Sequence, residues 1–235
     1  MGTRESILDS ALECFTEDGY DRTTVARIRE HSGVSNGALF HHFSSKEAIA
    51  GALYIEAMRS VQDGFWNVIR QSPATLREAV AGVIRQQLSW IEDNPDRARF
   101  LYGRGQLDWT TDAGGQLKGL NRDLADVYQD WLAPFVVRGE AKDLPMTVVV
   151  AIVTGPAHAI AQRWLAGQLP GSLLQYADEL IGAAVAGLSG VPSKRSRRHP
   201  QPTQGRIRIQ LLGAEGSIIA EGDAVAELIP VKHPR

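Results

Sequence analysis

Apolar residues recur at steps of three and four through most of the chain, which is the pattern of amphipathic helices. Gly, Pro, Asn and Ser residues interrupt this pattern at intervals up to residue 190. The predicted helices span residues 3–16, 25–32, 36–42, 46–70, 74–93, 95–107, 116–137, 145–167 and 173–188. Residues 112–115 form a predicted turn before the seventh helix. No alternating strand pattern occurs among these helices, so the sequence predicts an all-α fold.

The pattern changes after residue 190, where prolines and basic residues replace the apolar stripe. Residues 191–206 are predicted to be a solvated linker, and non-specific contact of the basic cluster 194–198 with DNA phosphates is the alternative. Apolar and polar residues alternate over 206–212, turn-forming residues follow, and residues 217–229 favour strands. The sequence therefore predicts a small β-hairpin in a non-helical tail, with no role assigned to it.

The overall composition is that of a globular protein, with 43% hydrophobic and 22% charged residues. Arg4, Glu5 and Asp9 interrupt any signal-like apolar stretch at the beginning, and we expect a cytoplasmic protein. The apolar run 147–160 is interrupted by Pro156 and His158 and is expected to be too short to span a bilayer. The single cysteine, Cys14, excludes an internal disulfide; a buried, unreactive thiol is expected, with a redox sensor as the alternative.

Two short predicted helices, 25–32 and 36–42, are separated by a turn that contains Gly33, which is the arrangement of a helix-turn-helix. In such motifs the second helix enters the major groove of DNA, where base edges are displayed. Asn36 can pair with a base edge or a phosphate. Gly37 and Ala38 are small enough to allow close approach to the DNA.

Hydroxyl residues stand where these helices begin, because Thr23 or Thr24, Ser35 and Ser45 are good N-caps. Helix N-termini bind anions, so Thr24 and Lys46 are predicted phosphate anchors, with further contacts from His41 or His42 and from Arg22 or Arg27. The residues predicted to bind DNA are Thr24, Ser35, Asn36, Gly37, Ala38, His41, His42 and Lys46.

Net charge gives no indication of a nucleic-acid partner. The chain carries a formal charge of −2, and its first fifty residues hold five basic and eight acidic side chains. Any DNA binding must therefore depend on where the charges lie and not on their sum.

Residues 4–53 resemble the N-terminal domain of TetR-family regulators in residue type and spacing. The matching residues are Ile7, Ala11, Phe15, Gly19, Tyr20, Thr23, Thr24, Val25, Ile28, Gly33, Val34, Ser35, Gly37, Ala38, Leu39, His42, Phe43, Ser45, Lys46 and Glu47. Two residues depart from the family pattern. Arg29 replaces a small alanine and is expected to extend to the surface. Phe40 replaces a tyrosine whose hydroxyl meets a phosphate, and it is expected to be an aromatic packing residue.

The resemblance implies a helix-turn-helix domain at 1–47 and a helical effector-binding and dimerisation domain at 48–190, and the change of pattern after residue 190 sets off the tail at 191–235. It implies a homodimer that pairs through the last two helices of the larger domain and binds a near-palindromic operator as a repressor, released by a small-molecule effector. Small residues in the last helix suit such pairing, although an ordinary intrachain helix face would contain them too.

The effector pocket implied by the resemblance would be mostly apolar with few polar groups, and its ligand apolar or aromatic. The candidate lining residues are Trp90, Phe100, Tyr102, Trp109, Tyr128, Trp131, His158 and Trp164. Each of these aromatic residues could instead be ordinary core. The Gly155–Pro156 pair is predicted to kink its helix, which could open space for a ligand or only fit the packing.

Two other classes of function are the alternatives to an effector-released repressor. An enzyme has no support, because no nucleophile and base pair, phosphate-binding glycine loop or metal-ligand spacing occurs, and no cofactor is implied. The adjacent His41 and His42 would point in different directions and would not share a metal. A DNA-binding dimer without any small-molecule effector stays open, and it would have no cavity in the larger domain.

Overall fold

The computed structural model describes residues 2–103, 112–189, 203–212 and 218–228 of the chain. Nine α-helices lie within these ranges: α1 (Thr3–Asp18), α2 (Val25–Ser32), α3 (Asn36–His42), α4 (Lys46–Arg70), α5 (Leu76–Asp93), α6 (Pro95–Gly103), α7 (Asp112–Val137), α8 (Met146–Leu165) and α9 (Ala177–Leu188). A 3₁₀ turn, Leu173–Tyr176, leads into α9, and two strands follow, β1 (Thr203–Leu212) and β2 (Ile218–Leu228). The all-α fold with a non-helical tail is confirmed.

The predicted starts of α2, α3 and α4 are confirmed, because a hydroxyl caps each of them. Thr24 Oγ1 accepts a hydrogen bond from the Arg27 amide at 3.1 Å, and Ser35 Oγ accepts one from the Ala38 amide at 3.1 Å. Ser45 caps α4 in the same way. Gly33 ends α2 with φ of 68°, a left-handed conformation that glycine adopts without a Cβ clash.

Helices α1 and α8 end within two residues of their predicted limits, and three other boundaries differ from the prediction. Residues 112–115 are not a turn but the first turn of α7, where the carboxylate of Asp112 lies near the positive end of the helix dipole. Helix α5 begins at Leu76, because Thr75 and Glu78 form a capping box that fixes its start. The last predicted helix opens as a 3₁₀ turn before it becomes α-helical at Ala177.

Two hydrophobic cores organise the helical part of the chain. The first is built by α1, α2, α3, the beginning of α4 and Phe100 of α6, and the second by the rest of α4 with α5–α9. Helix α4 contributes Ile49 and Leu53 to the first core and Val61 and Phe65 to the second. It is therefore one rigid element shared by both cores.

The chain forms two compact units, Met1–Pro192 and Ser193–Arg235. In the second unit β1 and β2 pair antiparallel, from Thr203 opposite Leu228 to Leu212 opposite Ile218, with an irregularity at Leu211/Leu212. The two predicted strand segments are thus paired with each other. Most of the predicted linker and the predicted turn at 213–216 lie outside the described residues, and residues 203–206 belong to β1.

Helix α8 is longer than the apolar run that the sequence indicated. Helix α8 has 20 residues. Among the helices that the structure describes, it is the one whose length and composition alone would allow it to cross a membrane. The apolar run 147–160 lies inside this longer helix. Val149, Val153, Ala157 and Ala161 form its buried face, and the helix packs beside α5 and α9.

Candidate nucleic-acid interface and effector site

Helix α3 is anchored on one side and open to solvent on the other. Leu39 is fully buried in the first core, whereas Asn36, Gly37, Phe40 and His41 are exposed. Because successive residues turn by about 100° around a helix, these four exposed positions share an arc of about 140°. The arrangement leaves one continuous helix face free to enter a groove.

The prediction that Phe40 packs as an aromatic residue is wrong. Its side chain is 49% exposed, and it lies between Asn36 and Gly37 on the helical wheel, at the middle of the exposed face. Leu39 and Phe43 are the residues of this segment that are buried in the first core. An exposed aromatic residue at this point is an apolar contact surface.

Lys46 is held against the loop that precedes α2. Its ammonium donates to the carbonyl oxygens of Tyr20 at 2.9 Å and Asp21 at 3.4 Å, and lies 4.3 Å from the centre of the Tyr20 ring. The lysine therefore ties the start of α4 to the chain segment that leads to Thr24. No local sequence pattern predicts this contact, because it joins residues 26 positions apart.

Acidic residues at the end of α1 bind the two arginines predicted near the DNA. Arg27 pairs with Glu17 and Asp18 at 3.3 Å each, and Arg22 donates to the Asp18 carbonyl at 2.6 Å. The hydrogen bond to the Asp18 carboxylate raises the pKa of the Arg27 guanidinium above its usual value. Arg29 is part-exposed beside Glu30, as expected for a side chain that extends to the surface.

The remaining candidate DNA residues have mixed environments. Thr24 and Ser35 are exposed caps, and Ala38 is half-buried. His41 and His42 are exposed, with ring centres 5.1 Å apart and planes inclined by 68°. Cys14 is buried, and burial raises the pKa of its thiol, as expected for an unreactive cysteine.

The predicted effector-pocket residues divide between several places. Tyr102 and His158 lie together, with ring centres 4.1 Å apart. Tyr128 and Trp131 line a small cavity of about 20 Å³ between α5, α7, α8 and α9. Phe100 instead stacks on Phe15 in the first core, with ring centres 5.5 Å apart.

Two other predicted lining residues, Trp90 and Trp164, are not gathered around either place. Trp90 is buried and donates to Ser60 Oγ at 2.9 Å. Trp164 donates to the Gly171 carbonyl at 2.8 Å. Trp109 lies outside the described residues.

Sequence reasoning missed Gln87, which is only 4% exposed and sits beside Tyr102. A signal was available: Gln87 follows Val83 and Ile84 at helical steps of four and three, so it stands on the apolar stripe of α5. A polar residue on a buried stripe needs partners, and it is the informative exception.

Comparison with known proteins identifies the family. A model described as "Bacterial regulatory proteins, tetR family" matches residues 7–53, which contain α2, α3 and the turn between them. The HTH-type transcriptional repressor Rv1474c of Mycobacterium tuberculosis is 34% identical over 147 residues, 55% of this chain and 73% of the relative. This chain belongs to the TetR family. It is a DNA-binding transcriptional regulator, and its helix-turn-helix is α2 with α3.

Further relatives and structures agree with this TetR-family assignment. The HTH-type transcriptional repressor AcnR of Corynebacterium diphtheriae is 52% identical over 104 residues, which are 44% of this chain and 47% of that repressor. A tetR-family regulatory protein from Rhodococcus RHA1 superposes with a TM-score of 0.65 at 17% identity, covering 80% of this chain and 98% of its own. The transcriptional regulator FadR of Bacillus subtilis, solved in complex with stearoyl-CoA, superposes with a TM-score of 0.64 at 20% identity. The match covers 78% of this chain and 98% of the FadR chain.

Proposed function

We propose that this TetR-family chain is a repressor that binds a near-palindromic operator as a homodimer and is released by a small-molecule effector. The observation that carries the proposal is the exposed face of α3, presented beside the capped N-termini of α2 and α4. The relatives named as repressors support the direction of regulation. Such a protein acts where the chromosome is, in the cytoplasm.

The DNA contacts follow from where each side chain lies. Asn36, Gly37, Ala38 and His41 would meet the floor of the major groove, because they lie on or beside the open face of α3. The predicted phosphate contacts come from the edges of the motif, at Thr24, Ser35, His42 and Lys46. The ammonium of Lys46 is bound to the loop before α2, so its contribution to phosphate binding would come through the N-terminal amides of α4.

A second copy of the chain would cover the outer face of α8 and α9. Val148, Ala151 and Ala159 of α8 are exposed and share the side opposite its buried residues, and Ala183 and Ala186 of α9 are exposed as well. Small side chains allow two helices to approach closely, and a two-fold dimer places two α3 helices on successive turns of DNA. This pairing accounts for an apolar helix that the single chain leaves largely uncovered.

The effector would bind within the second core, in the proposed domain 48–190. Helix α4 crosses from this core to the first, so a ligand that displaced α4 would change the spacing of the two α3 helices in the dimer. FadR of Bacillus subtilis, which shares the fold, was solved in complex with stearoyl-CoA, and this supports a small-molecule effector without naming the ligand of this chain.

The proposal is tested by selecting DNA from a random duplex pool with the purified full-length chain. We expect an enriched two-fold symmetric sequence whose half-sites are centred about 10 base pairs, or a multiple, apart. We also expect a molar mass in solution of two chains. Failure to enrich any sequence, or enrichment of a single half-site by a monomer, would contradict the proposal.

A further inference from the structure

A cluster of uncharged polar groups lies inside the second core, where α5, α6 and α8 meet. The Gln87 amide of α5 faces the hydroxyl of Tyr102 from α6, whose ring contacts His158 of α8. Gln87 Nε2 also donates to the Thr154 carbonyl oxygen of α8 at 3.4 Å. The side-chain oxygen of Gln87, Oε1, is buried and has no hydrogen-bond partner.

The position of this oxygen follows from its neighbours. The carbonyl of Thr154 can only accept a hydrogen bond, so the amide nitrogen of Gln87 must face it, and the oxygen must point away. A buried acceptor without a partner is costly, and such groups are normally satisfied by protein or water. In the ranges described, Gln87 Oε1 is the one buried side-chain polar atom left in this condition.

The groups around Gln87 are held in their neutral forms. Burial lowers the pKa of His158, so its imidazole is uncharged at neutral pH. Burial raises the pKa of Tyr102, although its hydrogen bond with Gln87 acts in the opposite direction. Burial raises the pKa of Tyr54 as well. Arg163, which follows on the same helix as His158, is exposed. A charged ligand group would lose its hydration here without gaining an opposite charge among the described residues.

Apolar side chains continue from this cluster along the same two helices. Val83 lies one turn before Gln87 on α5, and Val153 lies just over one turn before His158 on α8. Both valines line the cavity of about 20 Å³. That space holds about one water molecule, so a ligand whose polar end met Gln87 would have to part these side chains to place its apolar part along α5 and α8.

We propose that Gln87 Oε1 is the hydrogen-bond acceptor of the effector site, and that the effector is an uncharged, largely apolar molecule carrying an O–H or N–H donor. This inference rests on the proposed function for the existence of an effector, and it adds the chemical class. Tyr102 and His158 form the neutral polar rim of the site, and the valines its apolar wall.

Four octyl compounds of matched chain length test the donor and the charge separately: 1-octanol, 1-methoxyoctane, octanoate and octylamine. Titration calorimetry of the full-length chain should give binding of 1-octanol at least about tenfold tighter than of the other three, because 1-methoxyoctane lacks the donor and the two ions are charged. Gln87→Met, which keeps the shape but removes the acceptor, should abolish that preference. The control is Gln62→Met, since Gln62 is equally buried but already bound to Asn121 at 3.1 Å.

The outcomes separate this inference from the proposed function. Three results would overturn the neutral-donor site: equal binding of 1-octanol and 1-methoxyoctane, preference for either ion, or no binding of any probe. The last of these would leave a buried water as the partner of Gln87. A chain that selects operator DNA but shows one of these results contradicts this inference alone. A chain that prefers 1-octanol through Gln87 but selects no DNA contradicts the proposed function alone.

Discussion

At the scale of single residues, two buried glutamines differ in whether a buried atom of the side chain lacks a hydrogen-bond partner. Gln62 and Gln87 are 3% and 4% exposed, but Gln62 donates to Asn121 whereas Gln87 carries the unpartnered oxygen. We expect the free energy of unfolding of Gln87→Met to equal or exceed that of the wild type, because the substitution removes an unsatisfied acceptor. Gln62→Met should be less stable than Gln87→Met by about 1–2 kcal/mol. Urea denaturation of both variants measures the difference, and equal losses would contradict the assignment.

Phe40 is the residue of α3 with the clearest apolar contact to offer DNA. A phenyl ring in the major groove packs against the C5-methyl group of thymine. Replacing that thymine by deoxyuridine in one selected half-site should weaken binding about fourfold, since one methyl group contributes about 0.8 kcal/mol. Phe40→Ala should bind both DNAs equally while keeping its thermal stability, because the ring is half-exposed. If no thymine shows this dependence on Phe40, the contact is absent.

At the scale of elements, α4 and α7 approach closely at one glycine. A Cβ placed on Gly51 would lie 2.9 Å from Cβ of Ala113, which is fixed by the helix backbone. Gly51→Ala should therefore cost about 1–3 kcal/mol of stability through overpacking. The double variant Gly51→Ala/Ala113→Gly moves the methyl group to the other helix and should recover most of the loss in urea denaturation. A double variant no more stable than the single one would show that this contact does not limit the approach of α4 and α7.

The elements differ in how far the sequence could predict them. The limits of α2 and α3 were predictable because Thr24, Ser35 and Gly33 act locally, through caps and a left-handed turn. The turn predicted at 112–115 is helical instead, because packing against α4 stabilises a segment whose local signals favour a turn. Local sequence contains no information about which helix lies opposite.

In the candidate sites too, the features set by local sequence were predictable and those set by tertiary packing were not. The open face of α3 follows from its periodicity and its caps, so most of its residues were predicted. The environment of Phe40 was not, because its exposure depends on Leu39 and Phe43 filling the core beneath it. The cluster around Gln87 joins three helices distant in sequence, and only the isolated glutamine on an apolar stripe indicated it.

At the scale of the whole helical unit, two helices connect the cores. Helix α4 spans both, and α6 carries Phe100 in the first core and Tyr102 in the second. An ion pair between Arg97 and Asp9 at 3.6 Å also joins α6 to α1. A ligand at Gln87 would touch α6 through Tyr102, so the effector site and the DNA-binding motif share rigid elements through which they can be coupled.

The central claim is that the open face of α3 lies against DNA, and Gly37 tests it most directly. A Cβ on Gly37 has open space in the free protein, so Gly37→Ala should fold with equal or greater stability. Against DNA the added methyl group would hold α3 away from the groove. The matched control is Gly119→Ala, at a helical glycine of α7 that also has open space. The measurement is operator affinity by fluorescence anisotropy at fixed salt: we predict a loss of about tenfold or more for Gly37→Ala and none for Gly119→Ala. A Gly37→Ala variant that binds as tightly as the wild type would contradict the account.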